Sequence, residues 1–178
     1  MLIAPGSVPA AVTLAAARAQ LRLDDNDEDE LIQSLVIAAT SMAEHELGRS
    51  LVTQAWGLRL ASFPMGNICL AKPPVQSITS ISYTDSQGAA RTLAAADYSL
   101  VPDPQTPRVV GAWPVGTDVR VEFVAGYGTE EDVPVSVQRW ILMHVSTWFR
   151  NRESAGVALH PMPGISSLLD RYRIWNAL

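Results

Sequence analysis

Leu47-Gly48-Arg49-Ser50-Leu51-Val52-Thr53-Gln54-Ala55-Trp56-Gly57-Leu58-Arg59-Leu60 is the stretch in which the chain changes its hydrophobic period. Upstream, Leu31, Leu35, Ala39 and Met42 form one row at spacings of three and four. Ile32, Val36, Ala39 and Ala43 run beside it, so the pattern predicts a helix with a wide apolar stripe. The acids before and within its first turn suit the positive end of the helix dipole, and Gly48 suits a left-handed stop. Downstream, Trp56, Leu58 and Leu60 alternate with polar or small residues, the period of a half-buried strand.

The period of two persists through the middle of the chain. Ile68 to Leu70 reads as a short apolar strand before the Pro73-Pro74 break, and Val75 to Tyr83 is rich in β-branched residues with Ile81 and Tyr83 on one face. Asp85-Ser86-Gln87-Gly88 is turn chemistry leading to Arg91-Thr92-Leu93, which predicts a hairpin. Tyr98 to Val101, Arg108 to Val110 and Val119 to Phe123 complete a set of short strands separated by Pro- and Gly-rich turns, the spacing of a small antiparallel sandwich or barrel.

Helix brackets this middle on both sides. Thr13 to Leu21 is a short helix with Leu14, Ala17 and Leu21 on one face, too short to stand alone. After Asp132-Val133, Pro134 reads as the first helical residue of a stripe through Val137, Trp140, Ile141, His144, Val145, Trp148 and Phe149. Pro161 and Pro163 break a loop, and Gly164 to Trp175 offers a last short amphipathic helix. No internal repeat stands out. The expected fold is α+β: a helical bundle or hairpin core from residues 1–50 plus 134–178, with residues 51–133 as an inserted β-sandwich or barrel whose two ends lie close together.

Composition narrows the function. With 48% hydrophobic and 17% charged residues in 178, the chain carries enough apolar material for real cores, and no apolar run approaches a membrane span. Met1 to Ala10 lacks the basic region and apolar stretch of a signal peptide, which predicts a chain that stays where it is made. The single cysteine, Cys69, cannot form an internal disulfide, and its apolar neighbours predict a small buried hydrophobe. The net charge of −5 is unevenly spread. Asp24, Asp25, Asp27, Glu28, Asp29 and Glu30 form one acidic run, whereas Arg139, Arg150, Arg152, Arg171 and Arg173 outnumber Glu153 and Asp170 near the end.

Catalytic apparatus is sparse. Glu44-His45-Glu46 invites a metal or acid-base reading, but successive helical residues diverge by about 100°, and neither His144 nor His160 adds a ligand spacing, so a solvated helix face is expected. There is no phosphate-binding glycine loop, nucleophile elbow or dinucleotide fingerprint, and Gly126-Tyr127-Gly128 reads as a strand end. The acidic run lacks a calcium loop's ligand order and reads as a solvated helix start or an electrostatic surface. Arg150-Asn151-Arg152-Glu153 suits the negative end of its helix. Leu168-Leu169-Asp170-Arg171-Tyr172-Arg173-Ile174-Trp175 has the composition of an interface anchor, with folding back on its own core as the alternative. No catalytic, cofactor or metal residues are assigned.

Taken together, several segments resemble the head-tail connector (adaptor) proteins of long-tailed bacteriophages, in the subgroup with a strand-rich insert. They are Leu31-Ile32 with Ala38, Ala39 and Glu44; Leu47 to Trp56; Leu70 before Pro73-Pro74-Val75; Ile78 to Tyr83 with Asp85; Val121 to Gly128 followed by Val133-Pro134; Trp148 to Glu153; and Leu168 to Arg173. Their order and spacing carry the match across nearly the whole chain. The resemblance implies a structural virion protein without enzymatic activity or cofactor, made in the host cytoplasm and built into the neck at the portal vertex. It implies a ring, dodecameric in the family, that sits below the portal protein, extends the channel through which double-stranded DNA passes without specific binding, and meets a head-completion (stopper) or tail protein, with no membrane partner.

On that resemblance, Leu168, Leu169, Arg171, Tyr172, Arg173 and Trp175 are expected to dock on the portal from a segment hinged at Pro161, Pro163 and Gly164. Asp24, Asp25, Asp27, Glu28, Asp29 and Glu30 are expected to face the channel, where negative charge keeps phosphate from sticking. Two other classes stay open. A small hydrolase or binding enzyme with a site in the β part needs convergent titratable groups, and that part holds no histidine. A nucleic-acid-binding domain needs a basic face, which the acidic total opposes.

Overall fold

The computed structural model describes residues 1–3, 6–151 and 164–174. In chain order the elements are β1 (Leu2–Ile3), α1 (Leu14–Leu21), α2 (Asp29–Leu47), β2 (Gln54–Ser62), β3 (Ile68–Cys69), β4 (Val75–Thr84), β5 (Ala90–Thr92), β6 (Tyr98–Val101), β7 (Arg108–Gly111), β8 (Thr117–Ala125), α3 (Val135–Arg150) and α4 (Ser167–Asp170). The molecule is α+β, as expected from the change of period.

The strands form two antiparallel sheets, one of five strands in the order β1-β2-β8-β4-β5 and one of three in the order β3-β7-β6. Two hydrophobic cores follow. One gathers Ile32, Val36, Ala39, Ala43 and Leu47 of α2 with Val137, Trp140, Ile141 and Val145 of α3. The other gathers Trp56, Ile81, Val119, Val121 and Phe123 with Ile68 and Val109 of the smaller sheet. The first strand is an N-terminal contribution to the sheet, pairing Leu2 with Leu58 and Ile3 with Gly57.

Local chemistry sets the helix ends. Thr13 Oγ1 accepts from Ala16 N at 3.0 Å, capping α1, and Gly48 closes α2 in the left-handed region at φ 69°. Pro134 is the cap of α3 and not its first residue, one position earlier than its missing N–H led the sequence reading to place it. On α2 the buried row is Ile32, Val36, Ala39 and Ala43; in the row beside it Leu31 and Leu35 are half-buried and Met42 is 39% exposed. Both rows satisfy the same period, and contact with α3 selects one.

The closing segment is shorter than its amphipathic pattern predicts. Its helix is the single turn α4, and Trp175 lies outside the described residues. The expected buried Cys69 is exposed, because alternation in β3 turns Ile68 and Leu70 inward and the thiol between them outward.

Candidate functional site

The passage from helical to strand-rich structure is held by a polar cluster. Leu51 N donates to Glu44 Oε1 at 2.8 Å, and Gln54 Nε2 donates to the same oxygen at 2.7 Å. Glu44 is 4% exposed, so the solvated helix face expected for Glu44-His45-Glu46 holds for His45 and Glu46 only. The reason is positional. Glu44 lies one turn after Thr40 on the face that α2 turns to the core, and the chain leaving Gly48 brings the Leu51 N–H and the Gln54 side-chain amide back over it.

Around this carboxylate the cluster widens. Lys72 Nζ donates to the Glu44 carbonyl at 3.4 Å and stands 5.5 Å from the Trp56 ring centroid, while Trp56 Nε1 donates to Ser50 Oγ at 2.6 Å. Burial raises the Glu44 carboxyl above the ordinary glutamate value, against the lowering effects of the Leu51 N–H, Lys72 and Gln54. Burial likewise lowers Lys72, with the Glu44 charge opposing. Gln54 Oε1 is buried without a hydrogen-bond partner among the described residues. Perturbed pKa values mark active sites, yet here the two shifted groups are engaged within the chain, Glu44 by Leu51 and Gln54 and Lys72 by the Glu44 carbonyl. The cluster is a clamp: Thr53 N donates to the Gly128 carbonyl at 2.8 Å and Tyr127 N to the Leu51 carbonyl at 2.9 Å, so the two chain crossings are zipped together beside it.

The acidic run forms the α1–α2 connection and the start of α2. Asp24, Asp25, Asp27 and Glu30 are exposed, and Glu28 and Asp29 are half-buried. Arg18 Nε donates to Asp29 Oδ1 at 2.6 Å, so that carboxylate is engaged within the chain. Asp24, Asp25, Asp27 and Glu30 leave their carboxylates at the surface.

The C-terminal candidates are divided between core and surface. Leu169 is 1% exposed within the helical core, Leu168 and Tyr172 pack partly against it, and Arg171 is exposed. Arg173 Nη2 donates to Glu46 Oε2 at 3.1 Å, Arg49 Nε donates to the Tyr172 carbonyl, and Ile174 N donates to the Leu47 carbonyl at 3.0 Å. Over its described residues the segment folds back on α2. Removing the residues after Gly164, which the hinge reading expects to leave unfolding unchanged, is therefore expected to lower the melting temperature. Leu169→Ala alone should cost about 2–5 kcal/mol. A thermal melt that superimposes on that of the intact chain would show the segment to be dispensable for the body.

Among the described residues no group of three His, Cys, Asp or Glu is placed to hold a metal, and no helix is long and apolar enough to cross a membrane. What the described residues present is a body with two hydrophobic cores and an exposed acidic stretch at the α1–α2 connection. Residues 11–98 match the family of phage gp6-like head-tail connector proteins. Among solved structures, the chain is similar to one from the neck of the empty gene transfer agent (GTA) particle computed with C6 symmetry, at 27% identity and a TM-score of 0.84, covering 100% of this chain and 97% of that one. Chains from the virion of the native gene transfer agent particle and from the neck of the native particle computed with C12 symmetry follow. Each is 26% identical over the same coverage, with TM-scores of 0.83 and 0.81. No curated protein matches the chain. The resemblance to head-tail connectors is borne out, and these matches support a structural, non-enzymatic role in a virion neck.

Proposed function

We propose that this chain is the adaptor subunit of a virion neck: copies form a ring below the portal, extend its DNA channel and offer a surface to the next head-completion or tail component. The observation that supports this most strongly is the likeness of the whole chain to neck proteins from particles computed with C6 and C12 symmetry. In this reading residues 1–50 and 134–178 are the ring-packing core and residues 51–133 the β-rich insert, a sandwich of the two sheets. Two separate hydrophobic cores support that division. The ring has twelve copies and is recruited from the host cytoplasm onto filled heads. Imaging of the portal vertex tests it, and isolated copies or closed dimers there would overturn it.

Within that ring, Asp24, Asp25, Asp27 and Glu30 line the channel or its rim, and the exposed parts of Leu168, Arg171 and Tyr172 meet the portal. Each cation added against phosphate releases counterions and raises DNA affinity. The Asp24→Lys/Asp25→Lys/Asp27→Lys variant is therefore expected to bind duplex DNA with a steep salt dependence, while the unaltered protein does not bind. Equal DNA binding by the two proteins in a salt titration would end the channel assignment.

A further inference from the structure

At the end of β2 and the start of β8, where Ser62 pairs with Thr117, two loops repeat one pattern: Phe63-Pro64-Met65-Gly66 and Trp113-Pro114-Val115-Gly116. Four residues are too short an echo to stand out as a repeat in the sequence. Structure makes it a pair. The Phe63 and Trp113 rings stack with centroids 5.4 Å apart and planes 6° from parallel, Tyr83 meets Phe63 edge-on at 5.3 Å, and Trp113 Nε1 donates to the Gly66 carbonyl at 2.7 Å. Gly116 lies so close to Tyr83 that a Cβ would stand 2.4 Å from its ring. The two loops are thus fixed to each other, and each holds one aliphatic side chain in solvent: Met65 fully, and Val115 at 85% exposure. Fixing the loops removes the ordering cost a partner would otherwise meet.

The same chain carries an apolar cavity of about 330 Å³ lined by Leu2, Leu58, Cys69, Leu70, Pro73 and Ile174. We propose that Met65 and Val115 form a knob that seats in this cavity on a second copy of the chain, one heterologous contact of the ring; the inference rests on the connector reading above.

Three observations point to a second copy as the occupant. The cavity's lining includes no residue of either loop, so within one chain the knob does not fill it. A cyclic ring needs two different patches on each subunit, and the similar neck chains come from particles computed with C6 and C12 symmetry. The surfaces also match in character. Ser62 to Asn67 and Ala112 to Thr117 hold no charged residue, and of the cavity's charges the Lys72 ammonium is drawn to the Glu44 carbonyl. A tip without cations is a poor partner for DNA.

Cys69 supplies the test, because it lines the cavity and is the chain's single cysteine. A Met65→Cys variant assembled into necks and mildly oxidised should give a covalent ladder extending past the dimer on non-reducing gels. The ladder should be reversed by thiol and absent in Met65→Cys/Cys69→Ser, since a disulfide forms only where Cα atoms come within about 7 Å. In parallel, Met65→Asp/Val115→Asp should keep the parent's melting temperature, both positions being exposed, yet fail to form rings. Rings without the ladder, or full incorporation of the double aspartate variant, would overturn the knob while leaving the connector reading standing. Absence of the unaltered chain from the portal vertex would instead remove the connector reading itself.

Discussion

Gly126→Ala is expected to lower folding stability by about 4 kcal/mol or more. Gly126 has φ +130°, a region that L side chains avoid, and a Cβ there would stand 2.4 Å from the Val52 carbonyl carbon and oxygen and 2.6 Å from Thr53 N. These contacts are backbone, so no rotamer change relieves them. Gly126 N also donates to the Pro74 carbonyl at 2.9 Å, and Gln76 Nε2 donates to the Gly126 carbonyl at 2.8 Å. The residue therefore ties β8 to both neighbouring crossings. Gly66→Ala is the matched control, since nothing lies within 4 Å of its Cβ position. Denaturant unfolding of the two variants should separate them clearly; equal midpoints would mean that the junction yields where the geometry says it cannot.

Glu44→Ala should cost about 2–4 kcal/mol, because it leaves the Leu51 N–H and the Gln54 amide without their shared acceptor. Glu44→Gln retains an acceptor and should stay within about 1 kcal/mol of the parent. The pH dependence separates charge from hydrogen bonding. Because burial raises the Glu44 carboxyl, the folded protein binds that proton more tightly than the unfolded chain. The resulting stabilisation is complete below the ordinary glutamate value and is lost as pH rises through the raised folded value. Lys72 runs the other way. Its lowered folded value gives stabilisation that is present above the ordinary lysine value and lost as pH falls through the folded one. Unfolding measured from acid to alkaline pH should show Glu44→Gln without the acid-side slope and with the alkaline limb retained. An unchanged acid-side slope would place the titrating group elsewhere.

Function sits at surfaces here because the buried chemistry is already committed. The one carboxylate buried at the junction holds Leu51 and Gln54, the aromatic stack at the loop ends fixes Met65 and Val115 outward, and the C-terminal turn completes the helical core with Leu169.

The α+β class, the helical stripes of α2 and α3, the β4–β5 hairpin and the structural character of the protein were legible in the sequence, because each rests on a local signal. Periods near 3.6 and 2, Gly48 and Asp85-Ser86-Gln87-Gly88 act within a few residues of themselves. The connector resemblance was legible too, carried by the order of segments such as Leu47 to Trp56. What local pattern does not carry is the choice among faces that satisfy the same period. Glu44 has the spacing of a core residue and the chemistry of a surface one, and only the return of Leu51 and Gln54 over it decided its burial. Cys69 shares its apolar neighbours with Ile68, and only the seating of β3 against β7 decided which of them turned inward. Leu169 and Arg173 read equally as anchors for a partner or for their own core, and only the folded chain seats Leu169 in the helical core and brings Arg173 to Glu46, more than a hundred residues earlier. These outcomes are long-range: burial energy belongs to pairs of elements that only the folded chain brings together.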